Sequence, residues 1–219
     1  GTARRAKTAA ITALGNHWLS KHEDTQDMPS QGVAGDLRLY ETDSNGKSVL
    51  NAQLVEKLGA NYDDPAYESL LNQISVNELN TLVEGAGYRT SAIASIGKPE
   101  FTDLDGPSGL NDTNMTAATK SKWTSFPTEM VLASTWSKKL AYLFGYGVGK
   151  EAADTNVAGW YAPACNIHRS PYDGRNFEYY SEDSQLSGVM AAETIQGATN
   201  NGLYCYLKHF AVNETENNR

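Results

Sequence analysis

From Pro65 onward, helical and strand-like patterns alternate along the chain. Ala66 to Gln73 reads as a short helix. Ser75 and Glu78 form a capping box ahead of Leu79, Leu82 and Val83, and this second helix is expected to stop at Gly85 or Gly87. Phe101 to Leu104 reads as a strand ending in Asp105-Gly106-Pro107. After a loop rich in Thr and Asn and the segment Phe126-Pro127-Thr128, Ser134 or Thr135 is expected to cap a long helix. On that helix Trp136, Leu140, Phe144, Val148 and Ala152 recur about every four residues, with Lys138 and Lys139 facing water. Gly159 to Cys165 is a short apolar block bounded by Asn156 and Asn166, the pattern of a strand covered on both faces. Asp183 or Ser184 caps a further helix bearing Leu186, Val189, Met190 and Ile195 and ending near Gly197. Asn200-Asn201-Gly202 then turns the chain into the strand Leu203 to Leu207. Strand, helix, strand, helix, strand predicts an α/β fold with parallel strands and right-handed crossovers.

The first sixty-four residues are less patterned. Ala3 to Leu14 has the composition of a frayed helix, and Leu37 to Tyr40 is strand-like ahead of an Asp-Ser-Asn-Gly turn. Residues 1–64 are expected to be an N-terminal extension or linker, or the remnant of a preceding domain.

Composition narrows the function. The chain has 219 residues, 40% of them hydrophobic, enough for a proper core. Its formal charge of −8, with 18 basic residues scattered apart from Arg4, Arg5 and Lys7, opposes binding to nucleic acid or to an anionic membrane. No stretch approaches the roughly 20 apolar residues of a membrane span, and the N-terminus lacks the apolar core of a secretory signal. Bacterial cytoplasm and secretion after signal removal both stay open. Cys165 and Cys205 lie in apolar segments and read as buried thiols. His17, His22, His168 and His209 show no metal-binding spacing, and no phosphate-binding loop is present, so neither a metal nor a cofactor is expected.

The polar residues concentrate after the strands. Between Asn166 and Asp183 the chain mixes His168, Arg169, Asp173, Arg175, Glu178, Glu182 and Asp183 with the rings of Tyr172, Phe177, Tyr179 and Tyr180. Rings interleaved with hydrogen-bonding groups suit a polar ligand such as a sugar. Asp105, the Arg175 loop and Lys208-His209 each follow a predicted strand, so three strands aim functional groups at one rim, as in a TIM-type (β/α)8 barrel. A full barrel takes about 250 residues, so only about its first half is expected here, in residues 65–219.

The segments DGPSGL from Asp105, GRNFEYYSED from Gly174 and KHFAVNE from Lys208 resemble, in order, the blocks of glycoside hydrolase family 3, chiefly its β-glucosidase branch. FPTEMVLASTWSKKLAYLFGYGVGKEA from Phe126 and GWYAPACNIHRSP from Gly159 are similar to the intervening elements. The resemblance implies an exo-acting, retaining glycosidase taking a β-glucoside or short β-linked oligosaccharide. Asp105 would accept from sugar hydroxyls, Arg175 and Lys208 would donate to them, and His209 would add a contact, with Glu178 and Asn111 as supporting residues. Family members often carry an arginine where Asn111 stands, which leaves part of the sugar specificity open. Ala211-Val212-Asn213 departs from the Pro-Gly-His of the N-acetylglucosaminidase branch.

The two reacting carboxyls, about 5–5.5 Å apart in retaining enzymes, are expected outside this chain, the nucleophilic Asp in the missing C-terminal part of the barrel and the acid/base Glu in a second α/β domain. The chain alone is therefore expected to be inactive, a fragment whose end after Asn218-Arg219 falls inside a family block. Three sequons, at Asn111, Asn114 and Asn213, are expected to be unused and the source bacterial. Two other readings of the residues are a carbohydrate-binding or regulatory module without catalysis and an aldolase-like barrel using Lys208 as a Schiff-base amine. Glucoside or xyloside preference, and a homo-oligomeric state, stay open.

Overall fold

The computed structural model describes residues 32, 35–59, 61, 63–85, 87–111 and 123–215. The helix expected over Ala3 to Leu14 lies outside them. The described residues fall into two compact units, one of those up to 85 together with Ser91–Glu100, the other of Gly87–Thr90 and those from Phe101 on.

The first unit opens with the antiparallel hairpin β1 (Tyr40–Thr42) and β2 (Ser48–Leu50). Asp43 closes it by accepting from the backbone N–H groups of Asn45 and Lys47 at 2.9 and 2.8 Å. That turn pairs Tyr40 with Leu50, so the strand begins at Tyr40 and not at Leu37 as the pattern suggested. Leu37 is instead held by the Gln73 side chain, which accepts from its N–H at 3.1 Å and donates to its carbonyl at 2.9 Å. Three helices follow, α1 (Ala52–Leu58), α2 (Pro65–Asn72) and α3 (Val76–Glu84), capped by Asn51, Asp64 and Ser75. Both halves of the Ser75–Glu78 capping box are formed, and Gly85 ends α3. Leu54, Leu58, Ala66, Leu70, Ile93 and Ile96 form the core. Thus α2 and α3, expected on the barrel side of residue 64, pack within this unit.

The second unit contains β3 (Arg89–Thr90), β4 (Phe101–Asp105), α4 (Glu129–Ser134), α5 (Lys138–Thr155), β5 (Val157–Tyr161), α6 (Ser184–Thr199) and β6 (Tyr204–Cys205). The sheet order is β3-β4-β5-β6, with β4, β5 and β6 parallel and β3 antiparallel to β4. The architecture is therefore α/β with a mixed sheet. β3, with two residues, is too short to leave a periodic signal in the sequence. Leu104, Trp160, Phe144, Val148, Met190 and Ala198 make the core under α5 and α6.

Several boundaries differ from the expectation: of the strand predicted over Leu203 to Leu207 only Tyr204–Cys205 is strand, and β5 starts at Val157, two residues before Gly159. The long helix begins at Lys138, capped by Ser137, and a separate α4 capped by Thr128 precedes it. The break lies at Thr135-Trp136. The Thr135 hydroxyl donates to the Leu132 carbonyl at 2.7 Å and accepts from the Ser137 N–H at 3.2 Å, and Trp136 takes a left-handed φ of 56°. Trp136, expected on the buried face, is consequently 77% exposed, and Leu140 is exposed as well. The apolar block from Gly159 also does not run as one strand to Cys165. Pro163, with no N–H, follows a cis peptide after Ala162, and pairing resumes only at Ala164, opposite Lys208.

Candidate functional site

Alternation along the strands sorts the side chains of the sheet. In β4, Leu104 joins the helix-side core while Asp103 and Asp105 take the other face. In β5, Trp160 packs edge-on to Phe144 of α5, and Gly159 and Tyr161 face the opposite way. Tyr204, Tyr206 and Lys208 continue that second face past β6.

Asp105 ends β4, and its backbone pairs with Asn111 in both directions, at 3.2 and 2.8 Å, closing the loop between them. The Trp160 indole N–H braces this loop by donating to the Gly106 carbonyl at 2.8 Å. Asp105 Oδ1 accepts from the Gly106 N–H at 2.8 Å and from Lys208 Nζ at 2.7 Å. Lys208 is fixed by its own N–H donating to the Pro163 carbonyl at 3.0 Å, and its ammonium also lies 3.2 Å from Glu178 Oε2. A 3-10 turn, Asn176–Glu178, brings Arg175 and Glu178 three residues apart onto one side, where Arg175 Nε donates to Glu178 Oε1. Glu178 is 2% exposed and holds a cation on each oxygen. A carboxylate so buried is tolerable only when paired in this way.

Arg175, Glu178, Lys208 and Asp105 therefore form one continuous line of alternating charge. His209 stands in a second, separate group. Its Nδ1 lies 2.9 Å from the Tyr179 hydroxyl and 3.4 Å from Asn213 Nδ2, and Asn213 also donates to Tyr179. The Asn213 N–H donates to Asn166 Oδ1 at 3.0 Å, and His168 stacks over Tyr179 at 6.3 Å. Burial pushes the Tyr179 phenol up, so it stays a neutral hydroxyl between its partners. Asn111 contributes its backbone to the loop after Asp105.

Sequence reasoning missed several residues around this line. Glu129, in the first turn of α4, is fully buried, with both oxygens accepting from the Ala164 N–H at 3.1 and 3.0 Å. Burial raises its carboxyl well above the ordinary range; the Ala164 hydrogen bond opposes this, Glu178 adds to it, and Lys208 opposes it. Nothing in the FPTE segment distinguishes such a glutamate from one in solvent. Asp103, Tyr204 and Tyr206 were legible in principle, because each lies an even number of residues from Asp105 or Lys208 and so on the same face. Among the described residues no cluster of three or more His, Cys, Asp or Glu side chains could hold a metal ion. Cys165 and Cys205 are thiols not joined in a disulfide, and they are half-buried where the apolar pattern predicts full burial.

A connected line of cations and carboxylates at the ends of parallel strands can grip a polyhydroxylated ring, since each sugar hydroxyl both donates and accepts. Comparison with known proteins points the same way. The family model for the glycosyl hydrolase family 3 N-terminal domain matches residues 111–218. β-Glucosidase A of Butyrivibrio fibrisolvens is 37% identical over 161 residues, which cover 69% of this chain and 19% of the relative. Thermostable β-glucosidase B of Acetivibrio thermocellus is 35% identical over 158 residues, 69% of this chain and 21% of the relative. Among solved structures, β-glucosidase 3B from Thermotoga neapolitana in complex with α-D-glucose matches with a TM-score of 0.61 at 36% identity, over 70% of this chain and 24% of that one. The chain thus spans about a fifth of the length of the curated relatives it matches. With the motifs in order, their side chains joined at the strand ends and relatives of one kind on every side, the chain belongs to glycoside hydrolase family 3, of which it carries part of the N-terminal domain.

Proposed function

We propose that the protein containing this chain is an exo-acting, retaining β-glucosidase, and that the chain supplies the glycone-binding part of a TIM-type (β/α)8 barrel. The observation that carries this reading is the line Asp105–Lys208–Glu178–Arg175, with Lys208 Nζ at 2.7 Å from Asp105 and 3.2 Å from Glu178. Asp105 keeps a second oxygen to accept from sugar hydroxyls, Lys208 and Arg175 donate to them, and Glu178 holds both cations in place. His209, anchored through Tyr179 and Asn213, adds a contact from the side. The β-glucosidases among the relatives, one of them bound to glucose, support a glucoside as ligand. The reacting carboxyl pair belongs to the part of the relatives' length that this chain does not span.

A Schiff-base role for Lys208 is disfavoured by its setting. A nucleophilic amine needs an apolar pocket or a cationic neighbour, and Lys208 sits between two carboxylates. The test is an assay of the full-length gene product with aryl β-glucosides. Release of the aglycone with net retention is expected; glucose binding without any release would replace the hydrolase with a binding module.

A further inference from the structure

Below the Asp105–Lys208 pair, on the same face of the sheet, lies a second polar cross-link that the sugar-binding line does not include. Asp103 is fully buried, and its two oxygens accept separately, Oδ1 from the Tyr204 hydroxyl at 2.5 Å and Oδ2 from the Tyr206 hydroxyl at 2.8 Å. Thr90 of β3 stands 3.4 Å from the Tyr204 hydroxyl. β4 and β6 are not neighbours, because β5 runs between them. The link therefore passes over β5, and it does so at Gly159. A methyl group there would run into Asp103 Oδ1 and the Tyr204 ring. Tyr206 is held further by stacking on Tyr161, with ring centres 4.5 Å apart and planes 21° apart, and by its N–H donating to the Trp160 carbonyl at 2.8 Å. Tyr161 is the register partner of Asp105.

The geometry has one direct consequence. Asp103 precedes Asp105 by two residues on β4, and Tyr206 precedes Lys208 by two residues after β6, so both members of the upper pair stand one pleat above members of the lower one. Hydrogen bonds to an ionised acceptor are about twice as strong as neutral ones, and here two of them converge on one buried carboxylate. Burial, reinforced by the bond to Asp103, pushes the Tyr204 phenol up to about 12 and that of Tyr206 upward as well, so both remain donors.

We infer that Asp103 is a positioning residue of the sugar site: by tying β4 to β6 through Tyr204 and Tyr206 over Gly159, it sets the separation of Asp105 and Lys208. The inference rests on the glucosidase reading above.

The experiment uses the full-length protein and four forms: wild type, Asp103→Leu, Asp103→Asn and Tyr206→Phe. Aryl β-glucoside kinetics and the inhibition constant of glucose are measured well below the unfolding transition, and the melting temperature of each form is measured separately. Asp103→Leu removes both acceptors while keeping the branching at Cγ, and is expected to weaken glucose inhibition and kcat/KM about tenfold, the scale of a lost buried hydrogen bond. Asn can accept from Tyr204 and donate to the oxygen of Tyr206, so Asp103→Asn is expected to restore most of the loss. Tyr206→Phe deletes one donor and is expected to weaken glucose a few-fold with little change in melting. Where Asp103→Leu does not fold, Tyr206→Phe decides alone. An unchanged glucose constant in the folded variants, with only the melting temperature lowered, overturns the inference. A wild type that releases no aglycone overturns the glucosidase reading instead.

Discussion

On one face of the β4–β5–β6 sheet, Leu104, Trp160 and Cys205 meet the apolar core beneath α5 and α6; on the other, Asp103, Asp105, Tyr161, Tyr204, Tyr206 and Lys208 meet chiefly one another. The same few residues of each strand build both surfaces, because neighbouring side chains leave a strand on opposite sides. The first face holds the sheet to its helices through area removed from water. The second adds to its packed tyrosine rings a set of directed bonds among carboxyl, ammonium and hydroxyl groups. A strand slipped by one residue would exchange the two sets and destroy both. Register is thus set by the apolar face and exploited by the polar one.

The contrast can be broken from either side. The largest effect is expected at Trp160, which is completely buried and braces Gly106. Trp160→Ala should lower the free energy of unfolding by about 3–5 kcal/mol in a denaturant melt, and a loss below about 1 kcal/mol would mean that the apolar face does not carry the sheet. Next comes Asp105→Ala, one residue beyond the apolar Leu104. It should reduce kcat/KM of the full-length protein about 10²- to 10³-fold while the melting temperature scarcely moves. Equal losses of stability and activity there would erase the division of labour.

Glu129 sharpens the contrast as an exception, a carboxyl buried beside Tyr180, Glu178 and Lys208. Because burial raises it far above its ordinary 4.5, the native protein keeps a proton that the unfolded chain releases. The stability this proton confers is full below that ordinary value and falls as pH rises toward the native one, by about 1.4 kcal/mol per pH unit in that window. Glu129→Gln should flatten that decline, so a pH–stability curve parallel to that of the wild type would remove Glu129 from it. The smallest effect lies in the first unit. Ser75→Ala, which opens the capping box, should cost about 1 kcal/mol and leave the glucose constant untouched; a changed constant would show that the site draws on that unit.

Much of this was legible in the chain itself, and where it was not the reasons are physical. The helices of Ser75, Asp183 and Phe144 announced themselves through caps and spacing, and the strand from Phe101 to Leu104 through the Asp-Gly-Pro stop that follows it. The break before α5 was hidden because Ser134, Thr135 and Ser137 are equally able to cap, and only the left-handed turn at Trp136 chooses among them. In the site, Asp105, Arg175 and Lys208 stood out by charge after a strand. The Glu178–Arg175 pair is local, but the contact of Glu178 with Lys208 and that of Glu129 with Ala164 join residues 30 and more positions apart, which no local pattern encodes.

Where α5 crosses α6, no side chain separates the backbones: a methyl group on Gly145 would overlap the Thr194 carbonyl, and one on Gly197 the Tyr142 carbonyl. Helices in such close contact cannot roll or slide past one another without a main-chain collision. They behave as a single stiff plate, and β5 and β6, each joined to one of them by a short connection, inherit its stiffness. Accommodation of a ligand then falls to the segments beyond the strand ends, at residues 106–111, 166–183 and 206–213, while the frame beneath them keeps its shape.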